Sequence, residues 1–499
     1  MSETDRAVNL TDGDLVKPLL VLSLPIILTN LLQVGYNLAD TFWVGRLGQD
    51  AVSAISYSWA IVFLLITLAG GFTVAGTVLV AQNKGAGNLD EVDHVAGQTI
   101  GFVILVSAGL AVIGYALAPT LLQLVGATPG EASYRMALSY TRTMFLGIPF
   151  VFGFFVFQAL LQGWGDTRTP LYLMAFGVAL NVVADPFLIL GFKGNVLFEA
   201  LGLTGLQSTL YALTGFEGFG VQGAAYATIG SRGLGAAIAF GLLLSGRVGL
   251  NPSLPDFRPT KEMGRKILRI GAPASVEQST QSLSVTILTA LIAIAGDPAV
   301  AAYGIGSRLT SLVFLPAMGL ARGTETMVGQ NLGADQADRA KHAVYVSAAL
   351  TAAVLAVVSA VAYVYGSTIV SVFITGEDAA TVVAIGADYL RIVGLSFVFL
   401  GVFRVVQGAY RGSGSTRAAM IFSVLGLIVI RVPTAYGLLT WADLGATGVW
   451  YAIAVSNVLV VVLAGGYFLR GTWADSVVES DGRPGPGPAP TPEEDATDD

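Results

Sequence analysis

The chain of 499 residues is 54% hydrophobic and only 12% charged, and its mean hydropathy is +0.71. Because soluble domains carry about twice this fraction of charged residues, soluble enzymes, disordered proteins and nucleic-acid-binding proteins are excluded. Cysteine is absent, which excludes disulfides and thiolate chemistry, and the net charge is −7. These values predict an integral membrane protein.

Twelve apolar segments are long enough to cross a bilayer, since a spanning helix needs about 20 apolar residues. They lie near residues 16–44, 51–81, 94–124, 135–164, 170–191, 221–246, 265–295, 299–329, 341–368, 384–411, 418–440 and 446–470. Glycines and polar residues interrupt the segment near 191–217, so we predict an interfacial helix there instead of a thirteenth span. The expected fold class is an all-α membrane protein.

Basic residues separate the two sides of these predicted helices. Sixteen of the 26 Arg and Lys residues fall on the side of the termini, and three fall on the other side. Arg and Lys accumulate in cytoplasmic loops. We therefore expect a multi-pass protein of the cytoplasmic membrane with both termini in the cytoplasm.

The two halves of the sequence repeat each other. Gln-Asn-Lys-Gly-Ala at 82–86 returns as Gln-Asn-Leu-Gly-Ala at 330–334, an offset of 248, and Gly-x-Gly-x-Thr-Arg occurs at 163–168 and 412–417. We interpret both motifs as turns and helix starts.

Each half has six spans, so the repeats are parallel and predict two six-helix bundles facing each other. The predicted organisation is an N-terminal tail (1–15), an N-lobe (16–246, with the insertion near 191–217), a linker (247–264), a C-lobe (265–473) and a disordered acidic tail (474–499).

The first helix carries a polar stripe that a lipid-facing helix would not tolerate. Asn30, Gln33, Asn37 and Asp40 share one face, and Tyr36 lies beside them. An Asp in mid-membrane costs about 2.5 to 3.5 kcal/mol on insertion scales. We therefore predict that the stripe lines a water-filled cavity, the alternative being that Asp40 caps a helix end at the interface.

A second acid lies on the fifth span. Asn181 and Asp185 share a helix face and Pro186 follows, so Asp185 should meet Asp40 in the outer half of the first bundle. Because proline frees a backbone carbonyl, Pro186 is a predicted hinge, and Pro25 is a second one. The repeat aligns Asp40 with Leu288 and Asp185 with Val432, so the second bundle forms without either acid.

The second bundle has its own polar residues. Gln278 and Gln281 align with Asn30 and Gln33, which predicts that both bundles line one polar cavity. Two interpretations of Glu277 stay open, since it can attract a cationic substrate or serve as a buried acid that steadies the helix near Pro273. Structural roles are expected for two arginines of this lobe, Arg404 and Arg431.

Together these motifs, with Asn-Leu-Ala-Asp-Thr-Phe-Trp-Val-Gly at 37–45 and Asn-Val-Val-Ala-Asp-Pro at 181–186, resemble the multidrug and toxic compound extrusion (MATE) family. The likeness covers nearly the whole chain and is greatest to the archaeal and DinF-like branch. It implies two lobes of six helices in a transporter that is not an enzyme and needs no cofactor. It also implies that proton or sodium import drives the export of organic, often cationic, compounds.

The resemblance places the acidic pair at Asp40 and Asp185, with Asn181 as partner. It further implies that the N-lobe cavity is lined by Gln33, Tyr36, Asn37, Gln158 and Thr228. The NorM-like branch has an acid on the tenth helix, and the stretch 401–407 contains none. The insertion near 191–217 is another departure from the family pattern.

The sequence predicts a cation-coupled antiporter in which the acidic pair binds substrate when ionised and releases it when a cation enters. The coupling ion is a proton, or a sodium ion held by Asp40, Asn181 and Asp185. A small organic substrate, a monovalent cation and the lipid bilayer are the expected partners of a monomer, with no nucleic acid. The alternatives are a lipid-linked oligosaccharide flippase and, with less support, an intramembrane hydrolase.

Overall fold

The computed structural model describes residues 8–375, 379–474 and 477–478, and these residues form seventeen α-helices. In chain order they are α1 (Val16–Gly45), α2 (Gln49–Gly85), α3 (Leu89–Leu124), α4 (Ala132–Trp164), α5 (Arg168–Leu190), α6 (Val196–Ala200), α7 (Thr204–Thr214), α8 (Val221–Leu244), α9 (Lys261–Ala293), α10 (Asp297–Val313), α11 (Leu315–Gly333), α12 (Ala337–Ser371), α13 (Ala379–Leu395), α14 (Phe397–Gly412), α15 (Thr416–Val424), α16 (Arg431–Thr440) and α17 (Gly445–Leu469).

The helices account for the predicted spans. Within the described residues, eight helices are long and apolar enough to cross a membrane, or ten if each of two bent helix pairs is one span. The other two predicted spans correspond to α2 and α9, which are 37 and 33 residues long. The prediction of an all-helical membrane protein is confirmed.

Two spans predicted as single helices, 299–329 and 384–411, are broken. α10 and α11 meet at 42°, and α13 and α14 meet at 49°. Pro316 at the start of α11 explains the first break, because proline cannot donate the backbone hydrogen bond that would continue α10. A π-helical segment, Leu425–Ile430, also interrupts the eleventh span between α15 and α16.

The insertion forms two short helices, α6 and α7, instead of the one predicted. Asn195 fixes it to the end of α5, since its amide nitrogen donates to the carbonyl oxygens of Pro186 (2.8 Å) and Gly191 (2.7 Å). The Asn195 side chain is fully buried and also accepts from the amide of Leu197. The insertion is therefore attached directly to the helix that carries Asp185.

The linker between the lobes ends earlier than the predicted 247–264, because α9 begins at Lys261 and not at 265. Thr260 caps this helix by accepting from the amide of Met263. The segment before it contains a 3-10 turn, Leu254–Phe257, that lies against α3.

Parts of both tails are packed against the lobes. Leu10 is buried and its carbonyl accepts from Asn331, while the amide of Val477 donates to Gln82 at 2.8 Å. The disordered tail predicted from 474 thus has a packed residue at its start. Residues 1–7, 475–476 and 479–499 lie outside the described part of the chain, so the prediction stays open for the rest of this tail.

The chain folds as an N-lobe (α1–α8) and a C-lobe (α9–α17). Two hydrophobic clusters lie within the C-lobe and one within the N-lobe, while the largest N-lobe cluster also includes residues from the start of α9. The lobes meet through repeat-equivalent helix pairs, α1 with α11 and α2 with α9. We call the side where α1 begins and α17 ends the terminal side, and the opposite side the distal side. Small residues permit the contact, because a Cβ at Gly71 or Gly323 would overlap a serine of the other lobe.

Candidate functional site

The two acids of the N-lobe come together where α5 packs between α1 and α8. Asp185 and Asn181, one turn apart on α5, are both fully buried. Asp40 on α1 is half-buried, and its Oδ1 atom is buried without a hydrogen-bond partner. Asp40 and Asp185 are close enough to interact electrostatically. The structure thus places the pair inside the lobe, as the shared faces predict.

Asn181 connects Asp185 to α8. In the amide orientation that satisfies both side-chain atoms, its nitrogen donates to Oδ2 of Asp185 at 3.2 Å and its oxygen accepts from the backbone amide of Thr228 at 3.3 Å. A neutral amide therefore holds the carboxylate without neutralising it. Side-chain and carboxylate oxygens of this kind are the ligands that hard monovalent and divalent cations accept.

A tyrosine closes the site from α1. The hydroxyl of Tyr36 lies 2.5 Å from the hydroxyl of Thr228, and both side chains are buried. Tyr36 and Tyr140 both interact electrostatically with the two acids. Tyr140 on α4 was not among the predicted site residues, although it aligns with Tyr389 in the repeat at an offset of 249 residues.

Arg232 on α8 lies near the ring of Tyr36 and interacts with neutral groups. Its Nη2 donates to Oε1 of Gln33 at 2.5 Å, its guanidinium lies 5.5 Å from the ring centre of Tyr36, and Gln33 in turn donates to Asn37. Among the described residues neither Asp40 nor Asp185 forms an ion pair. One buried and one half-buried carboxylate without a basic partner favour the entry of a cation.

The predicted C-lobe residues have different surroundings. Glu277 is buried and accepts from Arg411 at 2.7 Å, and Arg411 also donates to Glu325 at 3.0 Å. Arg322 interacts with the same Glu325 at 3.1 Å. Glu277 therefore belongs to a charge network of four residues on three helices, with its Oε2 left without a hydrogen-bond partner.

The repeat-equivalent glutamines Gln33 and Gln281 each accept from an arginine. Gln281 accepts from Arg404 at 2.5 Å, as Gln33 does from Arg232. The two arginines are not repeat-equivalent, because Arg404 aligns with Phe155. Each lobe thus contains a hydrogen bond from an arginine to the equivalent glutamine, but the arginine comes from a different, non-equivalent helix in each lobe.

The remaining predicted residues have looser or different contacts. Gln278 lies at the lobe interface, where a Cβ on Gly70 would meet its amide, and Gln158 on α4 is half-buried. Arg431 donates to Ser456 and Asn457 on α17.

The described residues contain no group of three or more His, Asp or Glu that could hold a metal ion. A sodium ion at Asp40, Asn181 and Asp185 would therefore rely on one amide beside two carboxylates.

Both predicted hinge prolines lie inside continuous helices, Pro25 in α1 and Pro186 in α5. The Thr29 hydroxyl donates to the carbonyl of Pro25 at 2.8 Å, and Asn195 binds that of Pro186. The helices do not open at these prolines, so a hinge function at either one stays a prediction.

The lobe interface contains residues whose role the sequence did not reveal. Gln82 donates to the carbonyl of Gly412, and Gln330 donates to that of Gly163. These residues come from the two repeated motifs that predicted only turns. The recurrence of the Gln-Asn-x-Gly-Ala motif in both halves was the only signal in the sequence. It does not predict that each glutamine contacts the other lobe.

The model of the MatE family matches residues 25–187 and 273–437, once in each lobe and with starts 248 residues apart. The chain belongs to the MatE family. As a member, it is a multi-pass membrane transporter and not an enzyme. The likeness to the archaeal and DinF-like branch stays a prediction.

Several relatives cover nearly the whole chain. A "Probable multidrug resistance protein YpnP" of Bacillus subtilis (strain 168) is 29% identical over 94% of this chain and 98% of its own. A second protein of that organism, "Probable multidrug resistance protein YoeA", is 30% identical over 89% and 91%.

Solved structures share the fold. The "Crystal structure of MATE in complex with MaL6" has a TM-score of 0.82 and 24% identity, covering 93% of this chain and 98% of its own. The structure titled "Outward-facing conformation of a multidrug resistance MATE family transporter of the MOP superfamily" has the same TM-score and identity, covering 94% and 98%.

Proposed function

We propose that the protein is a cation-coupled antiporter that exports organic, cationic or amphiphilic compounds, as a monomer in the cytoplasmic membrane. The names of its relatives, which include multidrug resistance and multidrug export proteins, support this class of cargo. The excess of Arg and Lys on the terminal side supports cytoplasmic termini.

The observation that carries the proposal is the acidic pair. Asp185 is fully buried and Asp40 is half-buried in one lobe, without a basic partner among the described residues, and the repeat places Leu288 and Val432 at the equivalent positions. An uncompensated buried charge is costly, so the site favours a cation in every stage of the cycle. A cationic substrate and a coupling cation can therefore compete for one charge.

Two coupling ions are compatible with the residues. A proton needs only one carboxylate oxygen, and Oδ1 of Asp40 has no hydrogen-bond partner. A sodium ion needs several oxygens, which Asp40, Asp185 and the Asn181 amide would supply if the Asn181 oxygen turned from the amide of Thr228 towards the carboxylates. Removal of the Asn181 oxygen separates the two cases, since it should weaken sodium binding more than proton binding.

The test is transport in inside-out vesicles. A proton or sodium gradient directed out of the vesicle should drive uptake of a fluorescent organic cation by the wild-type protein. Asp40→Asn and Asp185→Asn should abolish gradient-driven uptake at equal expression, because each removes charge from the pair. Asn181→Leu should abolish sodium-driven uptake and leave proton-driven uptake in part.

Asp297→Asn is the matched control, because Asp297 is an exposed acid in the first turn of α10. It should transport like the wild type. Undiminished coupled uptake by both Asp40→Asn and Asp185→Asn would contradict the proposed site, and uptake that ignores either gradient would contradict antiport.

A further inference from the structure

Each lobe has a groove on its outer surface, and the two grooves occupy repeat-equivalent places. The N-lobe groove of about 600 Å³ lies between α3, α4 and α8, and the C-lobe groove of about 710 Å³ lies between α12, α13, α14 and α17. Four pairs of lining residues align in the repeat: Tyr115 with Tyr363, Arg142 with Arg391, Phe150 with Phe399, and Tyr226 with Tyr451. The fold therefore builds the same groove twice.

Part of the N-lobe groove is lined by apolar side chains that are exposed on the outer surface of the helices. Leu146 and Phe150 are 61% and 53% exposed, and Tyr115 is 40% exposed. In a membrane transporter, exposed apolar side chains in mid-helix face lipid chains. The groove is thus open to the bilayer and is separate from the acidic pair inside the lobe.

Charge distinguishes the two grooves. The N-lobe groove is lined by Arg135 and Arg142 and by no acid. In the C-lobe groove Arg391 pairs with Asp388 at 3.5 Å, while Ala384 stands at the position of Arg135. Ser139 aligns with Asp388, so the N-lobe groove lacks the acid that neutralises its counterpart.

The guanidinium of Arg142 has a hydrogen-bond donor without a partner. It lies 4.9 Å from the ring centre of Tyr115, and its Nε is buried without a hydrogen-bond partner. Arg135 donates to the carbonyl of Gly130 at 3.2 Å, and the neighbouring Glu131 accepts from Ser133. Neither arginine forms an ion pair among the residues the structure describes.

The depth of the two arginines matches a lipid headgroup. The 33 residues of α4 span about 50 Å, so about 10 Å extends beyond each side of a 30 Å hydrocarbon layer. Arg135 and Arg142 lie about 5 and 15 Å from the distal start of α4, on either side of the hydrocarbon boundary. The long side chain of Arg142 can reach the boundary from below.

We propose that the N-lobe groove binds an anionic phospholipid of the distal leaflet. Arg135 and Arg142 bind its phosphate, while one acyl chain lies against Leu146 and Phe150. Two unpaired guanidinium groups favour phosphate, which accepts paired hydrogen bonds from arginine. The C-lobe groove, whose arginine is paired, discriminates little between anionic and zwitterionic lipids.

The test is native mass spectrometry of the purified full-length protein in a neutral detergent, titrated with phosphatidylglycerol. One tightly bound lipid is expected. Arg142→Gln should weaken it on the order of tenfold, because charged hydrogen bonds are lost. Arg391→Gln, the matched change in the other groove, should leave it unchanged. Equal effects of the two variants, or no effect of Arg142→Gln, would overturn the assignment.

A second pair of variants exchanges the residues at the position where the grooves differ, Ser139 and Asp388, so that the test does not depend on Arg142→Gln alone. Ser139→Asp should supply a partner for Arg142 and remove the tight lipid. Asp388→Ser should free Arg391 and strengthen lipid binding in the C-lobe groove, less than in the N-lobe groove because Ala384 replaces the second arginine. A bound lipid that is insensitive to both exchanges would contradict the role of charge.

Two further titrations identify the ligand. Phosphatidylcholine should bind on the order of tenfold more weakly than phosphatidylglycerol, and inorganic phosphate should not displace the lipid. If phosphate displaces it at similar concentrations, the groove is a site for free phosphate and the lipid assignment is wrong. Equal binding of both lipids would likewise overturn it.

Discussion

The side chain of Gln82 donates a hydrogen bond across the lobe interface to the carbonyl oxygen of Gly412, at 3.0 Å. Its repeat counterpart Gln330 donates to Gly163 at 2.9 Å, and the two glycines are themselves repeat-equivalent. Both bonds are buried at the terminal ends of α2 and α11. A two-fold pair of contacts therefore joins the lobes on the terminal side, and the proposed antiport cycle requires their release.

Removing both glutamines should weaken this closure. A hydrogen bond contributes about 1 kcal/mol, so Gln82→Ala with Gln330→Ala should shift the balance towards a state open on the terminal side by roughly tenfold or more. Because the chain has no cysteine, spin labels can be placed at Arg168→Cys and Arg417→Cys, which are exposed and repeat-equivalent. Their distance distribution should move to longer values.

Gln123→Ala, at the distal end of α3, is the control and should leave that distribution unchanged. An unchanged distribution in the double variant would show that these bonds do not hold the lobes together.

Gly85 provides a steric test of the same interface. A Cβ at this position would overlap the backbone carbonyl oxygen of Gln330, which cannot move as freely as a side chain. Gly85→Ala should therefore cost about 1 to 3 kcal/mol in the closed state and separate the same spin labels. Gly109→Ala, where a Cβ meets nothing within 4 Å, should behave as wild type. Equal distances in both variants would contradict the predicted close contact.

Asn195 should stabilise the end of α5. Asn195→Ala leaves the buried carbonyls of Pro186 and Gly191 without this donor, at a cost of about 1 to 3 kcal/mol. We expect a lower thermal unfolding midpoint, and reduced coupled transport because Asp185 is adjacent to Pro186. Asn88→Ala is the control, since Asn88 makes no side-chain capping bond. Equal midpoints for the two variants would show that the insertion does not support the site.

The linker contains an acid-sensitive contact. Hydrogen bonds from Ser253 and from His94 hold the pKa of Asp256 below its ordinary value of 3.8. A lowered pKa in the folded state means that the ionised carboxylate stabilises the fold above that ordinary value, and that this stability is lost as pH falls through the folded value. The thermal midpoint of the wild type should exceed that of Asp256→Asn at neutral pH.

The difference should shrink below about pH 4. Asp297→Asn provides the comparison for a change of charge alone. A difference between wild type and Asp256→Asn that stays constant down to strong acid would contradict the role of the ionised carboxylate.

The sequence by itself determined the membrane class, the repeat and the N-lobe acids. These follow from local periodicity, because a helix of known rise fixes which residues share a face and at what depth they lie. The shared face of Asn181 and Asp185 on one turn of α5 needed no more than that.

Only the tertiary structure decided which partners these residues meet. Gln82 and Gly412 are 330 residues apart, so no local pattern could pair them. Both interpretations of Glu277 stay predictions, but only packing shows that Arg411 lies 2.7 Å from its carboxylate. Hydrophobic periodicity fixes the faces of helices, whereas contacts between those faces depend on how the helices pack.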